Sequence, residues 1–183
     1  MALAIRFERQ DFLLTEGAGY GTISIEMVQN GGSVLLSQKC QYALRATFEL
    51  AKQYGKGPTK IADIAERQAI PTRFLERILN EMKKGGFFES RRGNEGGYLL
   101  VRDPRELAVG DIIEFVEGAF VPVSCMLTGG GNDDCQLKGN CVFLPMWRKI
   151  RNAVKEVYGA TTMQELVEEE ARTTGQYLSA YSI

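Results

Sequence analysis

The chain of 183 residues contains no histidine. That removes the side chain used most often as a general base near neutral pH and one of the common metal ligands. No other nucleophile–base pair stands out, so an enzyme is not expected. No apolar run approaches the ~20 residues that cross a bilayer, so no membrane partner is expected. The opening "MALAIRFERQDFLLTEG" carries charges early and lacks a signal-peptide apolar core. The chain is therefore expected in a reducing cytoplasm, where its four cysteines read as ligands or redox groups rather than disulfides. The hydrophobic fraction of 44% and charged fraction of 25% are ordinary for a folded soluble protein.

The net charge of −1 conceals an asymmetry. Residues 35–105 hold 14 basic against 8 acidic side chains, a net of +6, whereas residues 106–183 hold 6 against 11, a net of −5. A basic block points to a polyanionic partner such as double-stranded DNA. Residues 1–34, with "EGAGYGTISIEMVQNGGS", are glycine-rich and lack sustained helical periodicity. They read as a flexible leader or as non-native sequence, with the true start near Val34 or Leu35.

From Ser37, a good N-cap, the pattern is helical. Ala43, Ala46, Leu50 and Tyr54 share one face, and Gly55 with "KGP" ends the run. Thr59 is placed to cap a second short helix with Ile61, Ile64 and Ala65 inward, and "QAIP" makes a turn. The third helix, "TRFLERILNEMKK", packs Phe74, Leu75, Ile78, Leu79 and Met82 and ends at Gly85-Gly86. In "FFESRRGNEGGYLLV" two β-type runs flank Gly93 to Gly97, which predicts a hairpin. A further helix carries Ile112, Phe115 and Val116 on one face. Trp147, Ile150, Val154 and Val157 then form a long amphipathic stripe. Thr162 and Glu165 make a capping box for a last helix.

Two short helices joined by a tight turn and followed by a hairpin describe a winged helix-turn-helix. Its third helix leaves Thr72, Arg73, Glu76, Arg77 and Asn80 outward. These residue types suit base edges: arginine to guanine, asparagine to adenine, glutamate to the cytosine amino group. Lys83 and Lys84 suit phosphates, and Arg91 and Arg92 in the wing suit a minor groove. The fold class expected is mainly α: a winged helix-turn-helix over 35–105 with a small β-hairpin wing, then the cysteine loop and a long dimerisation helix over 106–183.

Cys125, Cys135 and Cys141 have nine and five residues between them, in a glycine-rich, acidic loop. Thiolates are soft ligands suited to iron–sulfur clusters or zinc. A cluster-free thiol–disulfide switch and inert packing thiols are the other readings of the same residues.

The segments "LLSQKCQYALRATFELA", "IPTRFLERIL" and "RGNEGGYLL", with the three cysteines after the "VEG" helix, resemble the Rrf2 family of bacterial transcription regulators. The likeness runs from about Leu35 to about Glu168. It implies a homodimeric winged-helix regulator that senses iron–sulfur, nitrosative or redox status through a cluster. It also implies that Glu76 takes part in base discrimination and that Arg92 is the arginine opening the wing motif. Some members complete the cluster with a histidine beyond the third cysteine, where Leu144 stands here. Others use an acidic residue before the tyrosine of the "YAL" motif, where Gln41 stands. Cys40, on the first helical turn where a helix N-terminus favours thiolate, is the candidate fourth ligand, supplied within the chain or across the dimer. Plain packing is the competing reading of Cys40. Zinc is the alternative to an iron–sulfur cluster, and an iron–sulfur electron carrier is the alternative to a regulator.

Overall fold

A computed structural model describes residues 36–93, 95–126 and 140–180. The stretch read as a leader, 1–34, lies outside them, as does Cys135. The first helix, α1 (Gln38–Lys52), starts where Ser37 Oγ accepts the Cys40 amide hydrogen at 3.1 Å, the side-chain cap that a helix's orphan N–H groups require. Cys40, Ala43, Ala46, Leu50 and Ala51 are buried on one face. Tyr54, expected on that stripe, lies beyond the end of α1 and is exposed: the turn before Gly55 (φ 76°) carries it off the helix.

The short α2 (Ile61–Arg67) and α3 (Thr72–Lys84) follow. Thr59 does not cap α2. Lys60 holds the N-cap position without a side-chain bond, and the Thr59 amide and carbonyl exchange hydrogen bonds with Tyr98 at 2.9 Å each. A non-local strand pairing thus takes the residue a local rule assigned to a cap. In the α2–α3 turn Ala69 adopts φ 47°, and the Ile70 amide donates to the Ala65 carbonyl at 2.9 Å.

On α3 the core takes Leu75, Ile78, Leu79 and Met82. Phe74, expected with them, is instead 57% exposed. Leu75, Ile78, Leu79 and Met82 recur at i, i+3, i+4 and i+7, which fills one stripe; Phe74 sits one step, about 100°, to the side of Leu75.

The wing is an antiparallel pair, β1 (Phe88–Arg91) and β2 (Gly97–Leu100), with Phe88 opposite Leu100 and Arg91 opposite Gly97. A Cβ on Gly97 would lie 2.4 Å from the Thr59 carbonyl oxygen, so only glycine allows the wing to close onto that segment. Next, α4 (Val109–Glu117) buries Val109, Ile112 and Ile113. Phe115 lies against Phe87, ring centroids 5.0 Å apart, and covers Gly85 at the end of α3. A 3-10 turn (Ser124–Met126) leads into the cysteine loop, and α5 (Leu144–Ala160) and α6 (Met163–Ala180) close the chain.

The capping box forms as expected. The Glu165 amide donates to Thr162 Oγ at 3.2 Å, and the Thr162 amide to Glu165 Oε2 at 2.9 Å. One core joins α1, α3 and β1 to Leu107, Ile112 and Met163, so α1 is packed between the DNA-type module and the C-terminal helices. By contrast, α5 has no buried residue. Trp147 and Val154 are half-buried, while Phe143, Met146, Ile150 and Val157 are exposed.

Candidate nucleic-acid interface and cysteine loop

Thr72, Arg73, Glu76, Arg77 and Asn80 are all exposed on α3. The helix is pinned from behind by its four buried side chains, so its outward residues are held on a rigid base. Two polar ties fix its orientation. Lys83 Nζ donates to Ser90 Oγ on β1 at 3.0 Å, which couples the helix to the wing. Lys39 Nζ on α1 pairs with Glu81 at 2.9 Å. Neither tie is a pattern readable from sequence, because each joins separate elements.

Arg91 and Arg92 are exposed at the tip side of the wing. Arg91 lies 3.7 Å from Glu89, a loose exposed pair that leaves the guanidinium available. The turn needs its glycines: Gly93 has φ 108°, and a Cβ on Gly96 would fall 2.4 Å from the Arg91 carbonyl oxygen. The α3 face and the wing therefore form one exposed surface on which the cations Arg73, Arg77, Lys83, Lys84, Arg91 and Arg92 outnumber the exposed carboxylates Glu76, Glu89 and Glu95.

The helix-turn-helix is braced by Glu49, a buried carboxylate on α1. It accepts hydrogen bonds from Arg67 at 2.8 Å and Gln68 at 3.0 Å, both from α2 and its end. Burial raises the Glu49 carboxyl, but these bonds and the charges of Lys52 and Arg67 outweigh it and hold the group below the usual carboxylate range.

Among the cysteines, Cys125 sits in the 3-10 turn and Cys141 just before α5; both are half-buried free thiols. They flank the 127–139 segment that contains Cys135. Cys40 is different: it is fully buried and faces Glu117 at the end of α4. Burial pushes its thiol up to about 12, with the negative charge of Glu117 adding to this, Lys39 opposing it, and a hydrogen bond to Glu117 contributing further. The lowering expected from the helix N-terminus is overwhelmed. Glu117 also accepts the Ser37 amide hydrogen at 3.0 Å, tying the entry of the cysteine loop to the start of α1. Gln41 is exposed and its amide donates to the Leu36 carbonyl at 3.0 Å. Leu144 is the first residue of α5. No helix among the described residues is long and apolar enough to cross a membrane.

A family model described as Rrf2, an iron-dependent transcriptional regulator, matches residues 36–169. The HTH-type transcriptional regulator CymR of Bacillus subtilis (strain 168) is 35% identical over 131 residues, covering 72% of this chain and 88% of CymR. The HTH-type transcriptional regulator IscR of Sodalis glossinidius (strain morsitans) is 35% identical over 135 residues, covering 74% of this chain and 79% of IscR. In three dimensions, the structure of CymR, the global cysteine regulator of B. subtilis, superposes with a TM-score of 0.62 at 33% identity, covering 75% of this chain and 98% of that one.

Proposed function

The chain belongs to the Rrf2 family of transcriptional regulators, and we propose that it reads double-stranded DNA as a homodimer through α3 and the wing, under the control of a cysteine-held iron–sulfur cluster. The observation that carries this reading is the cationic surface formed by α3 and the wing, locked together by the Lys83–Ser90 bond. In this reading α3 enters a major groove and Arg91 and Arg92 lie over an adjacent minor groove. Thr72, Arg73, Glu76, Arg77 and Asn80 are the proposed base-reading set. Its workplace would be the cytoplasm, beside the chromosome.

The homodimer is supported by the apolar stripe of α5, which the described residues leave uncovered: Val157 is 62% exposed and Ile150 38%. A second copy pairing α5 with α5 would remove that surface from water. Two recognition helices then stand about 34 Å apart, one helical turn of DNA.

For the cluster, the proposed ligands are Cys125, Cys135 and Cys141. Two of these donors suit it: Cys125 and Cys141 are free thiols with partial access to solvent. Cys40 is left out of the set, because it is fully buried in the core that α1 shares with its neighbours and faces Glu117. When bound, an iron–sulfur cluster supplies an iron- and redox-responsive tie across the loop. Around it, Glu117 links the loop's entry to Ser37 at the start of α1, and α1 carries Lys39, the partner of Glu81 on α3.

The absorption spectrum of anaerobically purified protein tests the cluster reading. A broad visible band is expected in the wild type and in Cys40→Ala, and its loss in each of Cys125→Ala, Cys135→Ala and Cys141→Ala. A colourless wild-type protein would move the reading to zinc or to bare thiols.

A further inference from the structure

Phe74 is a large apolar side chain left 57% exposed on the third residue of α3. Its neighbours along the helix are the exposed Arg73 one residue before it and Arg77 one turn after it. Next on the same flank is Glu81, which is taken up by Lys39. Three surroundings would explain an aromatic ring here: the chain's own core, a second copy of the chain, or a nucleic acid. Among the described residues the core is excluded by the exposure itself, because Leu75, Ile78, Leu79 and Met82 already fill the stripe.

A second copy fits poorly. The exposed apolar residues of α5 lie on a different helix, and Phe115 of α4 covers Gly85 at the far end of α3. Eleven residues separate Gly85 from Phe74, about 16 Å along the helix axis. Phe74 is thus not continuous with the apolar stripe that calls for a partner protein. Its surroundings are cationic, and they match a polyanion.

We propose that Phe74 is a specificity-determining residue that packs against the C5-methyl group of a thymine in the major groove. Thymine is the one base that presents an apolar group there. The phenyl ring has no hydroxyl or amide to spend on a phosphate or a base edge, so apolar contact is what it can offer. Facing cytosine, it would cover the amino group without replacing its hydrogen bond to water, which selects against that base. The inference rests on the DNA-reading face proposed above and adds to it a contact that the polar residues of α3 cannot make.

The test uses the full chain and duplexes that the wild type enriches from a random pool at fixed salt. In the enriched duplex each thymine is replaced in turn by deoxyuridine, which removes only the methyl group. Wild type and Phe74→Ala are titrated against every duplex, with Phe74→Leu as a second variant that keeps an apolar contact. At one thymine per half-site the wild type should lose about four-fold in affinity on losing the methyl, the equivalent of ~0.8 kcal/mol for one buried methyl. Phe74→Ala should bind the thymine and deoxyuridine forms of that position alike while keeping its response at other positions. Phe74→Leu should retain part of the difference.

The proposal is overturned if no thymine loses its methyl dependence in Phe74→Ala, or if Phe74→Ala weakens all duplexes equally. It is also overturned if Phe74→Ala changes the oligomeric state, which would make the ring a protein contact. A wild type that enriches no sequence at all removes this inference and the DNA-reading face together. Enrichment without methyl coupling removes this inference alone.

Discussion

Cys40 and Glu49 are both buried on α1, and both are titratable, yet their surroundings drive them in opposite senses. Cys40 faces burial and the Glu117 charge, so its thiol rises to about 12. Near neutral pH Cys40 is therefore held almost wholly as the unreactive thiol. In cluster-free folded protein, mass spectrometry after brief alkylation should find Cys125 and Cys141 modified and Cys40 spared until the chain unfolds. Equal labelling of Cys40 and Cys125 would contradict its burial beside Glu117. Glu49 is held ionised by Arg67 and Gln68, below its usual range. A depressed carboxyl contributes stability that is present above its unfolded value, near 4.3, and lost as pH falls through the lower folded value. Glu49→Ala should cost about 2–3 kcal/mol at pH 7, measured by urea unfolding. The gap between variant and wild type should narrow in acid. A gap that does not change with pH would mean that packing, not the charge, accounts for the loss.

At the scale of elements, α5 is the one long helix with no buried residue, and its apolar stripe is split. Trp147 and Val154 lean into the chain, whereas Ile150 and Val157 face outward. A charge at an outward position should therefore spare the fold and break the association, since burying it across an interface is costly without a partner. Ile150→Glu and Val157→Glu should elute as folded monomers in light-scattering chromatography with native circular dichroism, while the wild type elutes as a dimer. A monomeric wild type would contradict the dimer. The elements that were legible in the sequence share one property: their signals are local. The capping box of Thr162 and Glu165, the stripe of Leu75, Ile78, Leu79 and Met82, and the hairpin around Gly93 and Gly97 each depend on residues a few positions apart. Thr59 looked like a cap because a helix follows it, but Tyr98 claims both its backbone groups. Phe74 looked like core because apolar residues surround it in sequence, and the helix turns it aside. The elevated Cys40 thiol depends on Glu117, on a different helix, and no local pattern announces it.

For the whole molecule, the core that α1 shares with α3, α4 and α6 makes one body of the recognition module and the C-terminal helices. The entry of the cysteine loop at Glu117, the start of α1 at Ser37, and α3 through Lys39 and Glu81 are joined by contacts of about 3 Å. The outward face of α3 was legible because exposed Arg, Asn and Glu residues alternate with a buried stripe at helical spacing. The ties that aim it were not, because Lys83–Ser90 and Lys39–Glu81 each cross between elements. The central claim is that α3 reads DNA sequence from a symmetric dimer, with Glu76 discriminating between bases. The most direct measurement is selection of duplexes from a random pool by wild type and Glu76→Ala, followed by titration of the enriched sites. The wild type should enrich a two-fold symmetric motif with half-sites about 10 base pairs apart. Glu76→Ala should relax or change the base preferred at one position per half-site, with a cost of about 1–3 kcal/mol there, and leave the rest of the motif intact. An unsymmetric or unenriched pool, or the same motif bound equally well by both proteins, would contradict the account.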